Sequence, residues 1–327
     1  MKTSIKLAST LVSLVSTMSA CSFSKEKSDV LTSGLKGQIH VFESDATGFN
    51  TKTFFYDNGT EVVAFDTQFT PALAEQALAY LRTKTQNPVS YVVVTHPNPD
   101  KFNGISVFKK EGAKIIASEA TAKAMADVHA YKKYYFVNIA KMFTEDNYPK
   151  LDTVDLTFPS SFNLNLANGE QIKMQELKGP GVSSNQTVAL VPDINALVVG
   201  DLIHHNAHAW LEGGIVGGKP LPTVRSWIKA LEELSMTFAE KNPTVFGGRG
   251  EAVTLDIAAA QQIKYLEKAD EIVTSYVKNL GDRRDELNGA NAGEHYAKIQ
   301  AEFEAAFPAY QLAYMIQYGV YGLALSK

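Results

Sequence analysis

The chain has 327 residues, 45% hydrophobic and 20% charged, which is ordinary for a globular protein and enough to bury a sizeable core. A formal net charge of -4, with no dense Lys/Arg cluster, gives phosphate backbones nothing to follow and argues against nucleic acid as a partner. The single cysteine leaves no internal disulfide, so stability must come from the core.

Lys2 and Lys6 precede an apolar or small-residue run from Leu7 to Ala20, the pattern of a signal peptide over residues 1–20 and too short to span a bilayer comfortably. The run ends in Met18-Ser19-Ala20-Cys21, which resembles a bacterial lipobox with Met18 where leucine is usual. This resemblance implies acylation of Cys21 and a lipid bilayer as partner. The protein would be exported and anchored to a bacterial membrane, facing the periplasm or the cell exterior. Residues 21–37, polar and rich in Ser and Lys, read as a lipidated tether, and the folded domain then covers 38–327.

Ile39 to Glu43, Thr53 to Tyr56 and Val62 to Phe65 read as short strands separated by turn signals such as Asp57-Asn58-Gly59. Pro71 to Thr83 reads as a helix with Thr70 as its cap. Val89 to Val94 is a buried strand that delivers Thr95-His96 at its end. A helix over Phe102 to Lys110, a strand over Lys114 to Ala117 and a helix over Glu119 to Asp127 follow. His129 to Lys150 reads as an inserted helix and loop, whose aromatics serve the core or a pocket wall.

The second half repeats strands then helix. Phe162 to Leu166 and Gln171 to Leu177 flank Asn168-Gly169, a hairpin signal. Thr187 to Val191 and Ala196 to Val199 are strands, the latter running into Gly200-Asp201. Thr223 to Lys241 is helical, Val245-Phe246 is a short strand, and Gly247 to Gly250 is a loop. Gly213 to Gly218 reads as a flexible loop. From about 255 to 327 the chain forms a helical extension, with Phe307, Tyr310, Tyr314, Tyr318 and Tyr321 on one helix face. Two such halves predict a layered α/β fold.

Four landmarks stand in order: His96-Pro97-Asn98-Pro99-Asp100-Lys101 before Gly104, Gly179-Pro180-Gly181-Val182, Gly200-Asp201, and Gly248-Arg249-Gly250. Together they resemble the metallo-β-lactamase superfamily, whose members carry H-x-H-x-D-H at a strand end, a later histidine, a bridging aspartate and a final histidine. The resemblance covers residue 38 onward and implies the family's αββα sandwich, an α/β (α+β layered) fold, here with a helical C-terminal extension. Asp66-Thr67-Gln68 stands where the family has an early D-T-G turn.

Carried over position by position, the first zinc site falls on His96, Asn98 and Val182, and the second on Asp100, Lys101 and Arg249, with Asp201 shared. Valine has no donor atom, an Asn amide is a poor zinc ligand, and Lys and Arg present only N–H donors and positive charge. Two ligands have become cations while two carboxylates remain, so an internal ion-pair cluster can stand where the metals stood. No cofactor is therefore favoured.

The leading expectation is a small-molecule-binding or regulatory pocket lined by these positions, with His208 on its rim. The alternative is a hydrolase of an ester, lactam or related bond with zinc or another divalent metal in a rebuilt mononuclear site. His96, Asp100, Asp201, His204 and His208 would supply it, the last two sharing a face if that stretch is helical. A scaffold that binds a protein partner is a further alternative. Ser183-Ser184 lies beside no histidine, and no catalytic residue is assigned.

Overall fold

Two six-stranded sheets carry the fold, and the alternation of side chains along their strands shows which faces meet. The computed structural model describes residues 37–327; the signal segment, Cys21 and the rest of the tether lie outside the described residues. The first sheet runs β1 (Gln38–Glu43), β2 (Lys52–Asp57), β3 (Val62–Phe65), β4 (Val89–Val93), β5 (Lys114–Ser118) and β6 (Leu156–Phe158). It is antiparallel as far as β3 and parallel beyond. The second is built from β7 (Ser161–Asn165), β8 (Gln171–Glu176), β9 (Thr187–Val191) and β10 (Ala196–His204). Past a separate hairpin of β11 (Gly214–Val216) and β12 (Lys219–Leu221), it gains β13 (Thr244–Arg249) and β14 (Val253–Thr254). Its spatial order is β14-β13-β10-β9-β8-β7.

In β2, Phe54 and Tyr56 join a cluster with Val63, Phe65, Met174, Ala189 and Val198, while Phe55 joins another with Ala64 and Val92. The first cluster fills the space between the sheets. The second lies under α1 (Pro71–Arg82) and its neighbours. Thr70 caps α1 by accepting from the Leu73 N–H, and Leu73, Ala74, Ala77, Leu78 and Leu81 bury one stripe of it. On the far side, Leu197 and Val199 of β10 pack under the helices that follow. The molecule is thus a helix–sheet–sheet–helix sandwich with a helical C-terminal region, as the resemblance implied.

Several boundaries differ from the sequence reading. The helix expected over Phe102 to Lys110 is two short ones, α2 (Pro99–Phe102) and α3 (Ile105–Lys110), because Thr67 donates to the Lys101 carbonyl and its hydroxyl accepts from the Gly104 N–H, taking both groups out of the helical ladder. α4 (Glu119–Tyr134), capped by Ser118, runs well into the supposed insertion and ends in a π-helical turn over Tyr135–Ile139. The loop expected at Gly213 to Gly218 is the β11–β12 hairpin, whose turn uses positive φ at Gly217 and Gly218.

α5 (Val224–Thr237) and α6 (Leu255–Leu280) cover the second sheet, followed by α7 (Ala292–Ala306) and α8 (Tyr314–Leu325). The five C-terminal aromatics do not share one helix: Phe307 and Tyr310 sit in the link around Pro308, packed on Tyr265, while Tyr318 of α8 stacks on Trp210. Gln311 stitches this link to the strand layer by exchanging backbone hydrogen bonds with Asn206 and His208. Among the described residues no helix is long and apolar enough to cross a membrane. The Gly37 N–H donates to Asp193 Oδ2 at 2.8 Å, at the start of β10 and so at the opposite end of that strand from Asp201.

Candidate functional site

The site forms where β3, β4, β10 and β13 end. β4 leads through Val94 to Thr95 and His96, and the Thr95 carbonyl accepts from the Thr187 N–H at 2.7 Å, tying the two sheets together there. Gln186 reinforces the join by donating to the Thr95 carbonyl at 3.3 Å as well as to the carbonyls of Thr187 and Val199. Gly200 interrupts the β10 register with φ +52° and lies so close to Thr95 that a Cβ would overlap its hydroxyl, and this bulge presents Asp201. A Cβ on Gly248 would overlap Asp201 Oδ1, so glycine there lets β13 approach.

Around Asp201 the structure gathers His96, Asp100, Lys101 and Arg249. The Lys101 ammonium lies 2.8 Å from Asp201 Oδ1 and 2.9 Å from Asp100 Oδ2. Arg249 reaches Asp201 Oδ1 with Nη1 at 2.9 Å and Asp100 Oδ2 with Nη2 at 3.3 Å. Its other hydrogens go to the Phe49 carbonyl from Nε, the Gly248 carbonyl from Nη1 and the Thr51 hydroxyl from Nη2. Thr51 in turn donates to Asp100 Oδ2 at 2.7 Å. Burial alone would raise both carboxyls, but the neighbouring cations outweigh it and hold Asp100 below, and Asp201 well below, the ordinary range. Burial would lower Lys101, and the two carboxylates more than offset it. The cluster is two cations and two anions, all ionised.

Behind it runs a relay. Asp66, buried with φ +63° at the end of β3, accepts from the Thr95 N–H and shares the Thr95 hydroxyl with His96 Nδ1 at 3.0 Å each. Burial pushes the Asp66 carboxyl up to about 7, against the pull of Lys101 and the Thr95 bonds. With Asp66 ionised the hydroxyl points to it, Nδ1 of His96 carries the hydrogen, and Nε2 presents a bare lone pair. With Asp66 protonated the relay reverses and Nε2 carries the hydrogen. Nε2 stands 3.7 Å from Asp201 Oδ2, and burial lowers His96 to about 4 despite that carboxylate. At neutral pH the imidazole is uncharged.

The remaining expected positions are spread more widely. Asn98 lines the cavity beside the cluster. Val182 is buried in the apolar core with Leu202. His204 ends β10 with Nε2 4.0 Å from Asp201, its ring against Trp227, and burial lowers it to about 3. His208 departs from the expectation of a pocket rim or metal-ligand role. Residues 204–208 are strand end and turn, which removes the shared helical face, and the His208 ring sits among Tyr265, Phe303, Phe307 and Tyr310 beneath the C-terminal extension. Ser183 is buried with no partner for its hydroxyl.

A small cavity opens on the cluster, walled by Phe49, Phe69, Phe136 and Trp210. One wall holds a second buried ion pair that sequence reasoning did not find. Lys132 bonds Glu212 and lies 4.6 Å over the Trp210 ring, while Trp210 Nε1 donates to Glu212 at 2.9 Å. Lys132 carried no signal because it looks like a surface lysine on a helix of alternating polarity. Phe49 and Phe69 lie in loops, where no periodicity marks burial.

The zinc sites implied by the resemblance ask for lone pairs where this chain puts Lys101, Arg249 and Val182, which have none to offer. Among the described residues no group of three or more His, Cys, Asp or Glu is arranged to hold a metal ion. The donor set does not fit a dinuclear centre.

The profile of the Metallo-beta-lactamase superfamily matches residues 46–249, more than half of the chain. Among solved structures, the metallo-beta-lactamase from Pontibacter korlensis is similar at 19% identity and a TM-score of 0.53, over 71% of this chain and 95% of that one. DIM-1 metallo-beta-lactamase, exposed to ceftazidime, is similar at 15% identity and a TM-score of 0.51, over 72% of this chain and 98% of its own. TMB-1 aligns at 16% identity and a TM-score of 0.50, over 71% and 98%. Likeness at such identities bears on the fold alone. No curated protein matches the chain.

Proposed function

This chain belongs to the metallo-β-lactamase superfamily, and from that premise we propose that it is an exported lipoprotein, anchored through Cys21, whose pocket binds or senses a small molecule without a metal. The observation that carries this reading is the position of Lys101. Its ammonium lies within 2.9 Å of both carboxylates that would otherwise face metal, and Arg249 supplies the second positive charge. Two monovalent cations held by hydrogen bonds balance those carboxylates as one divalent ion would, and neither can act as a Lewis acid.

The test is elemental analysis of the purified full chain with and without a chelator. The expected result is less than stoichiometric zinc or other transition metal, and no change in melting temperature on chelation. Stoichiometric metal that disappears in His96→Ala overturns the proposal.

One observation favours a second reading, the metal-dependent hydrolase with a mononuclear site. His96 Nε2 is buried with no hydrogen-bond partner among the described residues, and it lies 3.7 Å from Asp201 Oδ2. Hydrolysis of an ester or lactam that requires added metal and both residues would establish it.

A further inference from the structure

We propose that the cavity takes a primary ammonium group on an apolar stem, received by Asp100 Oδ1 and Asp201 Oδ2, and that it rejects anions; this rests on the reading of the cavity as a ligand site. Two cations lining a pocket would ordinarily suggest an anionic ligand. The hydrogen-bond inventory points the other way.

Arg249 has five N–H donors and all five are committed, to Phe49 and Gly248 carbonyls, the Thr51 hydroxyl, Asp100 and Asp201. Lys101 is fully buried between the two carboxylates. Lys132 is bonded to Glu212 and covered by Trp210. Arg249 and Lys101 are therefore turned inward, while Lys132, which lines the cavity, has its charge held by Glu212 and the Trp210 ring.

The acceptors are not. Asp100 receives Thr51, Lys101 and Arg249 all on Oδ2, and Asp201 receives Lys101 and Arg249 both on Oδ1. Asp100 Oδ1 and Asp201 Oδ2 have no donor within hydrogen-bond distance among the described residues; His96 Nε2, 3.7 Å from the latter, is too far. Both residues line the cavity and are more than nine-tenths buried, at 8% and 2% exposure. In that position a ligand that brings hydrogens can take the place of water on these oxygens.

Formal charge is neutral: Lys101, Arg249 and Lys132 balance Asp100, Asp201 and Glu212, so net charge favours neither sign of ligand and the open acceptors decide. A hydroxyl brings one hydrogen, whereas a primary ammonium brings three and can serve both oxygens. The Phe49, Phe69 and Phe136 rings favour a cation beside them and receive the apolar stem.

Titration calorimetry of the full chain with benzylamine, benzyl alcohol and benzoate, three probes of similar size, tests this directly. Benzylamine is expected to bind at least about tenfold tighter than benzoate, and Asp100→Asn is expected to remove that preference. Because Asp100→Asn removes an ion-pair partner and can unfold the chain, Phe136→Trp serves as a second variant. It narrows the cavity, leaves every ion pair intact, and is expected to abolish benzylamine binding while the circular dichroism is unchanged. Benzoate binding as tightly as benzylamine, or binding of neither probe to the folded protein, overturns the ammonium proposal. Stoichiometric zinc that benzylamine does not displace overturns the metal-free reading instead.

Discussion

Lys101 sits where its charge is worth most and where its loss costs most. Replacing it with methionine keeps the stem and removes the ammonium, leaving Asp100 and Asp201 to share Arg249. Breaking one partner from a buried cluster typically costs about 3–5 kcal/mol, so Lys101→Met is expected to lower the urea midpoint accordingly. Adding Asp100→Asn removes one of the abandoned charges, and the double variant should lose clearly less than the sum of the singles.

Asp66 gives the site a pH signature. Its carboxyl ionises near 3.8 when unfolded and near 7 when folded, so between those values the folded state holds the extra proton. Its contribution to stability is therefore present at low pH and is lost as pH rises toward about 7. His96, His204 and His208 act in the opposite sense, because the unfolded chain takes up their protons below about 6.5. The histidine contribution fades only over about a pH unit above 6.5, and because it is common to wild type and Asp66→Asn, comparing the two isolates Asp66. Wild-type stability is expected to fall from pH 6.5 to 8 relative to Asp66→Asn, as measured by chemical denaturation at each pH.

The sequence made the cluster legible because each member lies in an ordered motif at a strand end, where residue type alone states the charge. The direction of each hydrogen was not legible. Which oxygen of Asp100 is satisfied depends on Thr51 and Arg249 converging from a loop and a strand end 198 residues apart.

Among the elements, α8 braces one wall of the cavity. Met315 lines it, and Tyr318 stacks on Trp210 with ring centroids 6.4 Å apart. Gly319 and Gly322 lie against Trp210 and the Glu212 backbone so closely that a Cβ at Gly322 would overlap the Glu212 carbonyl. Gly322→Val is expected to lever α8 away, costing about 1–3 kcal/mol and shifting the tryptophan emission of the folded protein to the red. An unchanged spectrum and midpoint would show that α8 does not brace Trp210.

Strands with a strong β-branched pattern were readable almost to the residue, as β3 and β9 show. β10 was read short because Gly200-Asp201 resembles a turn, whereas the chain bulges and continues to His204. The split of the C-terminal aromatics depends on the seam between Gln311 and residues 206–208, a long-range pairing that periodicity cannot express.

At the scale of the molecule, the anchoring proposed at Cys21 has its own test. Cys21→Ser is expected to shift the protein from the membrane to the soluble fraction of its native host, with loss of the acyl mass from the N-terminal peptide. Retention in the membrane would point to another means of attachment.

The contact between Gly37 and Asp193 sets where the chain enters the domain. It fixes the first described residue at the end of the sandwich farthest from Asp201. Sixteen positions separate Cys21 from Gly37, a leash of at most roughly 55 Å. The anchor proposed at Cys21 is thus joined to the domain at its base, as a handle to the foot of a bucket, so that the mouth at the other end is not where the chain enters.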